Sequence, residues 1–414
     1  MRNHKARIVV TGMGAISPLG NDQASLWDGI RHGCSAVAPV TLFDTSPYDT
    51  HFAAEVKHFD PLNYMDKKEA RRTDRFVQFA IAATKEALAD AGLTITPQNA
   101  ERVAVGIGTG IGGIGMLSDQ IIALHTKGAR RVSPFFIAAV LADSASGQVA
   151  ITYGAKGSNI AVTAACATGG TALGEAMAVI ERGDADVVIT GSSEAALVPI
   201  CFAGFNIMKA LSTRNDEPQK ASRPFDKDRD GFVVGEGAGI LILESEAHAH
   251  ARGARIYAEL AGYGMTADAN DMVQPAEGGE GMARAMRVAL KHAGISPREV
   301  HYINAHGTST PLNDPTETAA IKSVFGEAAY DVPVSSTKSM IGHCFGAAGA
   351  LEAIICVKAM QDNILPPTIN LDHPDPLCDL DYVPNVARPA RIDVAISNAM
   401  GLGGHNSCVI FRKV

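Results

Sequence analysis

Paired cysteines are missing from this chain. Its seven cysteines, at 34, 166, 201, 344, 356, 378 and 408, are odd in number, scattered, and never spaced C-x-x-C. That excludes a disulfide framework and a zinc ribbon, and it points to a reducing compartment, the cytoplasm. Long apolar runs are missing as well. None reaches the roughly 18 residues that a membrane helix needs, and the richest stretch, 347–360, is interrupted by Glu352 and Lys358. A secretory leader is not expected, because the basic lead Met1-Arg-Asn-His-Lys-Ala-Arg7 is followed only by Ile8 to Val10 before Thr11 and Gly12. Positive charge is in short supply: 36 Lys and Arg stand against 44 Asp and Glu, a net −8. A surface of that sign does not bind nucleic acid or anionic membrane as a whole.

What the chain has is apolar material and glycine. Of 414 residues, 46% are hydrophobic and 41 are glycine, many placed directly after apolar runs. Continuous apolar segments at 7–11, 103–107, 159–162, 186–190, 239–243, 256–261, 300–303, 332–335, 394–397 and 407–411 predict strands. Helical spacing predicts helices at 75–91, 143–153, 168–181, 281–293, 314–325 and 347–360. Alternation of the two implies an α/β fold with mostly parallel central strands. Residues 212–231, polar and turn-rich, read as a surface excursion before 232–234 return to the sheet. The segments 182–191 and 298–307 repeat one plan, a polar lead, a buried strand and a small or polar loop. Two related halves follow, 1–254 and 255–414.

Two motifs fail on inspection. Gly108-x-Gly110-x-x-Gly113 resembles a dinucleotide loop, but no acidic residue follows at the required distance of about 20 residues. Asp226, Asp228, Asp230 and Gly231 begin like a calcium loop, yet the twelfth position is Gly237 rather than Glu.

The stretch 157–171, Gly-Ser-Asn-Ile-Ala-Val-Thr-Ala-Ala-Cys-Ala-Thr-Gly-Gly-Thr, is different. It joins a short buried strand to a helix, with Cys166 at the corner and small residues around it. Unpaired N–H groups at a helix start favour thiolate, so Cys166 reads as a nucleophile. A buried structural cysteine is the alternative. Two further loops after strands carry His306, with Gly307, Thr308, Ser309 and Thr310, and His343, after Gly342. Two neutral imidazoles can donate to one carbonyl oxygen as its charge develops, and a thiolate beside them would accept an acyl group. The residue types also suit a Cys–His–His zinc site.

With these pieces in order, the chain resembles an elongating β-ketoacyl-[acyl-carrier-protein] synthase of type II, of the thiolase-fold superfamily. The resemblance runs from Val9-Val-Thr-Gly-Met-Gly14 to Gly401-Leu-Gly-Gly404. It is carried most specifically by Thr163-Ala-Ala-Cys-Ala-Thr168, Asn304-Ala-His-Gly-Thr-Ser-Thr-Pro311, Ser335-Ser-Thr-Lys-Ser-Met340 with Gly342-His343, and Leu365-Pro-Pro-Thr-Ile-Asn370. It implies a thiolase-like fold, two related halves layered αβαβα, and a decarboxylative Claisen condensation that lengthens a fatty-acid or polyketide-like chain by two carbons. Cys166 would hold the acyl group, and His306 and His343 would stabilise the malonyl-derived enolate. Lys338 would order His343, and the backbone N–H groups of Cys166 and Met400 would form the oxyanion hole. Thr308 and Thr310 would grip pantetheine. Glu352, facing Lys338, and Asn398 would support the site. Ile111, Phe136 and Phe205 would wall the acyl pocket. No organic cofactor and no catalytic metal are implied, only a monovalent cation near Asn304, Glu352 and Asn398.

The partner implied is an acidic acyl carrier protein, loaded with acyl or malonyl groups. On a negative chain the attraction must be local, which nominates Lys67, Lys68, Arg71 and Arg72 with Lys127, Arg130 and Arg131. The resemblance further implies a dimer, either a homodimer or a heterodimer with a related subunit. The alternative function is a specialised ketosynthase of a secondary-metabolite pathway that works beside a chain-length partner. The family's last loop usually reads Phe-Gly-Phe-Gly-Gly, whereas this chain has Met400-Gly-Leu-Gly-Gly404, so the gate over the cysteine is softened and an unusual acyl chain is expected. A starter-unit enzyme or thiolase would carry Cys–His–Asn or two cysteines instead, and a non-catalytic chain-length subunit would lack the cysteine.

Overall fold

The computed structural model describes residues 6–414; the basic stretch 1–5 lies outside the described residues. Ten strands form one sheet: β1 (Ile8–Ile16), β2 (Val103–Gly108), β3 (Asn159–Ile160), β4 (Val187–Glu194), β5 (Gly237–Ser245), β6 (Ala258–Ala267), β7 (Tyr302–Asn304), β8 (Val334–Ser335), β9 (Val394–Gly401) and β10 (His405–Arg412). Their spatial order is β8-β7-β9-β10-β6-β1-β5-β4-β2-β3. Outward from the middle, the first five strands run β1, β5, β4, β2, β3 and the last five run β6, β10, β9, β7, β8. Each strand of the first set is thus matched by the strand five later. The seam between the sets consists of Val9 paired with Glu259 and Val10 paired with Ala258.

Four helices make the layers: α1 (Arg75–Asp90), α2 (Thr168–Glu181), α3 (Glu280–Ala293) and α4 (Ala348–Asp362). α1 starts where the Asp74 side chain accepts the Phe76 N–H, and it stops before Gly92, which has a positive φ of 57°. Its Phe76, Phe79, Ala80, Ala83 and Ala87 form one core with the first strand set. α3 forms a second core with the other set through Met282, Ala285, Met286 and Ala289. α2 and α4 lie between, in a third core that draws on both sets. The layering is αβαβα.

Close approach of helix to strand accounts for the strand glycines. A Cβ on Gly12 or Gly14 of β1 would fall 2.3 Å from Ala87 O or 2.0 Å from Ala83 O of α1. On Gly262 or Gly264 of β6 it would fall 2.5 Å from Ala289 O or 2.1 Å from Ala285 O of α3. β1 therefore runs on through Gly12 and Gly14, where the sequence suggested that it ends.

Four further expectations are corrected. The centre of the sheet is antiparallel (β1–β5, β4–β5, β9–β10, β10–β6 and the β1–β6 seam), and the parallel pairs lie toward its two ends. Part of the cause is the β9–β10 hairpin, which strand–helix alternation does not reveal. β3 is not buried: it is a two-residue edge strand, and its residues are partly exposed. Residues 212–231 are only in part a surface excursion. Arg223, Phe225, Asp226 and Arg229 are buried, because Arg223 pairs with Asp226 and Arg229 with Asp375; such charges enter a core once paired. Phe232 and Val234 do not rejoin the main sheet. They form isolated bridges to Leu211 and His343 and back the site. Among the described residues, no helix is long and apolar enough to cross a membrane.

Candidate active site

α2 starts directly behind a one-turn segment, Ala165–Ala167, that carries Cys166. Ala165 takes a φ of 46°, a left-handed conformation that is costly for a residue with a side chain. Thr168 holds it there: its hydroxyl donates to Ala165 O at 2.7 Å and accepts from Ala164 N at 2.9 Å. Cys166 lines a cavity of about 370 Å³ together with His306, His343, Thr308, Thr310, Phe205, Phe345, Met400 and Leu402.

The loops after β7 and β8 supply the imidazoles. His343 is fixed by its N–H to Val233 O at 2.7 Å, and its ring sits between Phe232 (5.5 Å, near perpendicular) and Phe345 (4.9 Å). Its Nε2 lies 3.0 Å from the Cys166 Sγ. The His306 loop hangs on Glu317, whose two carboxylate oxygens accept the N–H groups of His306 and Gly307, each at 2.8 Å. The two imidazole rings are 5.4 Å apart and close to perpendicular.

Electrostatics decide the protonation states. Burial, and then the charge of Lys338, hold both histidines well below the usual histidine value, so both rings are neutral. Neither Nδ1 has a hydrogen-bond partner among the described residues; the contact on the His343 ring nitrogens is the one between Nε2 and the Cys166 sulfur. Lys338 and Glu352, 1% and 0% exposed, form a buried ion pair. Burial pushes Glu352 up to about 7 against the pull of Lys338. Burial also pushes the Cys166 thiol up to about 12, although Lys338 and the N–H groups of Leu402 and Cys166 itself act the other way. The expected resting thiolate is therefore a thiol, because removal of water from the sulfur outweighs the helix start.

Thr308 and Thr310 line the same cavity, with their hydroxyls 3.0 Å apart, and Phe205 stacks on Phe345 at 4.9 Å. Met400 lines it too, but the backbone N–H that bonds the sulfur is that of Leu402, the first residue beyond β9. Ile111 and Phe136 are not in this cavity: Ile111 is 39% exposed, and half-buried Phe136 opens the short helix Phe136–Val140. Asn398 donates to Glu317 at 3.4 Å. Lys67, Lys68 and Arg71 are exposed, as are Lys127, Arg130 and Arg131. Arg72 lies 3.9 Å over the ring of Phe135, so the two basic segments are neighbours.

The structure also disposes of the look-alike motifs. The amides of Gly110 and Ile111 bond to Glu194, which leaves none for a phosphate. Asp226 and Asp228 do gather with His373, but Asp226 already accepts three backbone N–H groups and pairs with Arg223. Among the described residues, Cys166, His306 and His343 do not converge as metal ligands. Sequence reasoning missed Leu402, which acts through its backbone, and Glu317 and Glu194, whose carboxylates bond to backbone amides. The one signal for Glu317 was a carboxylate on the buried side of a helix, three residues after Asp314.

Comparison with known proteins agrees with this geometry. Residues 5–249 match the family model for the beta-ketoacyl synthase N-terminal domain, and residues 257–372 match that for the C-terminal domain. A 3-oxoacyl-[acyl-carrier-protein] synthase 2 of Synechocystis is 52% identical over 409 residues, 99% of this chain and 98% of that protein. One of Coxiella burnetii is 51% identical over 410 residues, 99% of each. Among solved structures, a type II polyketide ketosynthase in complex with its acyl carrier protein superimposes with a TM-score of 0.92 at 37% identity, over 99% of this chain and 100% of that one. The ishigamide ketosynthase/chain length factor does so at 0.93 and 36%, with the same coverage. The models take in the cysteine turn and both histidine loops, and the relatives run the length of the chain, so it belongs to the beta-ketoacyl synthase family, as a condensing acyltransferase.

Proposed function

We propose that this chain condenses an acyl group held on Cys166 with a malonyl thioester brought by an acyl carrier protein. The observation that carries this reading is the meeting of one sulfur with two neutral imidazoles in a single cavity. In the first step the sulfur bonds to the acyl carbon and the carrier's C–S bond breaks. The Cys166 proton, which His343 Nε2 is placed to accept, leaves with the carrier thiol. The Cys166 and Leu402 N–H groups hold the oxyanion, each such donor being worth about 3 kcal/mol. In the second step the malonyl C–CO2 bond breaks and CO2 leaves. The electron pair forms an enolate, whose oxygen takes N–H bonds from His306 and His343. The enolate carbon then bonds to the acyl carbon, the C–S bond to Cys166 breaks, and the departing thiolate takes up a proton from solvent, the one proton that the overall condensation consumes. Lys338, held by Glu352, disfavours the imidazolium form, so the proton that His343 accepts passes on to the carrier thiol and both rings are neutral when the enolate forms.

Thr308 and Thr310 would hold the pantetheine arm at the cavity mouth, and the basic residues around Arg72 would meet the acidic carrier. A monovalent cation would be held by Asn304 Oδ1, Glu352 Oε2 and Asn398 Oδ1, three buried oxygens that have no hydrogen-bond partner among the described residues. An all-oxygen set suits a hard cation, which would supply fixed positive charge that orders these side chains. A homodimer is supported by the unpaired edge of β3 and by the exposed Ile121, Ile122, Ile137 and Ile151 on nearby helices. Ile111 and Phe136 would then wall the acyl pocket only once the partner is in place. The structural likeness to a ketosynthase/chain length factor favours a second reading, a heterodimer in a specialised pathway. The division at 254/255 and a cytoplasmic location complete the proposal. Incubation with acyl- and malonyl-loaded carrier tests it: CO2 and a 3-oxoacyl product are expected, with the acyl intermediate visible by mass on Cys166. Product formed without that intermediate would refute the assigned nucleophile.

A further inference from the structure

The turns that begin α2 and α4 are built alike. Ala165 and Phe345 take φ angles of 46° and 45°. In each turn the N–H two residues later returns three residues back, from Ala167 to Ala164 O at 3.0 Å and from Ala347 to Cys344 O at 2.9 Å. Step for step, Gly346 stands where Cys166 stands. The first turn presents its residue to the substrate cavity. The second is filled from within: the carboxylate of Glu194, the last residue of β4 and 0% exposed, accepts the Gly346 N–H at 3.2 Å, the Gly110 N–H at 2.7 Å, the Ile111 N–H at 3.3 Å and the Thr109 hydroxyl at 2.9 Å. Every one of these donors is neutral. A Cβ on Gly346 would fall 2.7 Å from that carboxylate and 2.3 Å from Gly110 N, so the turn has no room for a side chain of its own. Neutral N–H donors gathered on one anion at a helix start make an oxyanion hole in form, with the anion supplied by the chain.

We propose that Glu194 is a positioning residue for the condensation: as the built-in anion of the second turn, it locks Phe345 against His343 and so sets where that imidazole meets the thioester. Phe345 immediately precedes Gly346, and its ring lies 4.9 Å from the His343 ring while it stacks on Phe205. The other carboxylate oxygen ties down Thr109 and Ile111, so one side chain joins the turn to the loop after β2. The inference rests on the assignment of decarboxylation to His343.

The test compares Glu194→Ala, Glu194→Gln and His343→Ala, each as full-length protein, in malonyl-carrier decarboxylation, with and without added formate. For Glu194→Ala we expect kcat to fall about tenfold with KM for the carrier unchanged. Formate, but not chloride, should restore much of the loss in a saturable way, because it refills the vacated donors. Glu194→Gln, which keeps one acceptor oxygen, should fall between Glu194→Ala and the unmodified enzyme and ignore formate; it also decides the matter if the alanine variant does not fold. Unchanged kcat in the glutamine variant, or a loss in the alanine variant that formate leaves untouched, overturns the role. Full decarboxylation in His343→Ala overturns the functional reading instead, so the two failures are told apart.

Discussion

Two pairs of equivalent places show how the halves of this chain agree and where they part. β1 with α1 and β6 with α3 are packed by the same device, a G-x-G strand whose missing side chains admit alanines spaced four apart on the helix. Backbone-to-backbone packing of this kind leaves no room for a Cβ unless helix or strand shifts, in either copy. The turns at Cys166 and Gly346 share their backbone but not their occupant. One exposes a sulfur to a cavity, and the other encloses a carboxylate. A repeated scaffold can thus hold shape constant while chemistry is concentrated on one side of it.

The strongest way to sharpen that contrast is to remove the nucleophile. Cys166→Ala should lower condensation by roughly 10³-fold or more, measured as 3-oxoacyl product, while malonyl decarboxylation continues. Next, His306→Ala and His343→Ala should each slow decarboxylation by about 10²- to 10³-fold, the cost of one lost oxyanion-type donor, followed by CO2 release. Condensation retained in Cys166→Ala or in His343→Ala would break the division of roles. Smaller in rate but large in stability, Gly14→Ala and Gly264→Ala should each cost about 1–3 kcal/mol in urea unfolding. A cost confined to one of them would break the equivalence of the halves. The mildest effect is expected at the carrier patch: Arg71→Glu with Arg72→Glu should raise KM for the carrier several-fold and leave kcat nearly intact, less so as salt increases.

The pH response separates the two kinds of buried group. His306 and His343 are held well below the usual value, so decarboxylation by Cys166→Ala should show no acid limb near the ordinary histidine value. Because the unfolded chain binds those protons and the folded one does not, their share of stability is present at neutral pH and is lost as pH falls below that ordinary value. Glu352 and Glu194, both pushed up to about 7, act with the opposite sign: their share is full below the ordinary glutamate range and fades as pH rises through about 7. Unfolding at several pH values in single variants of each group checks both signs.

Much of the site could be read in advance because its residues break local rules. Cys166 sits among residues too small to fill a turn, and His306 and His343 follow apolar strands; Glu352 and its pairing with Lys338 were legible only through the resemblance to the ketoacyl synthases, since a lone helix carboxylate is otherwise expected at the surface. Leu402 could not be found that way, since it contributes only a backbone N–H and its side chain carries no mark. Glu194 follows Ser192 and Ser193 and looks like the polar end of a strand; its role depends on donors more than 80 residues away in sequence, Gly110 on one side and Gly346 on the other. The resting thiol was misjudged because helix-start polarity is local and legible, whereas burial depends on elements distant in the chain.

Composition, strand and helix periods and the reactive residue types were enough to establish an α/β chain with one cysteine and two histidines on loops after strands, because those properties are carried by neighbours in sequence. Strand direction, the burial of the paired charges near Arg229, the amide at Leu402 and the carboxylate inside the second turn were decided by folding alone. Each depends on groups brought together across the whole chain, where distance, exclusion of water and the supply of hydrogen-bond donors come from tertiary packing.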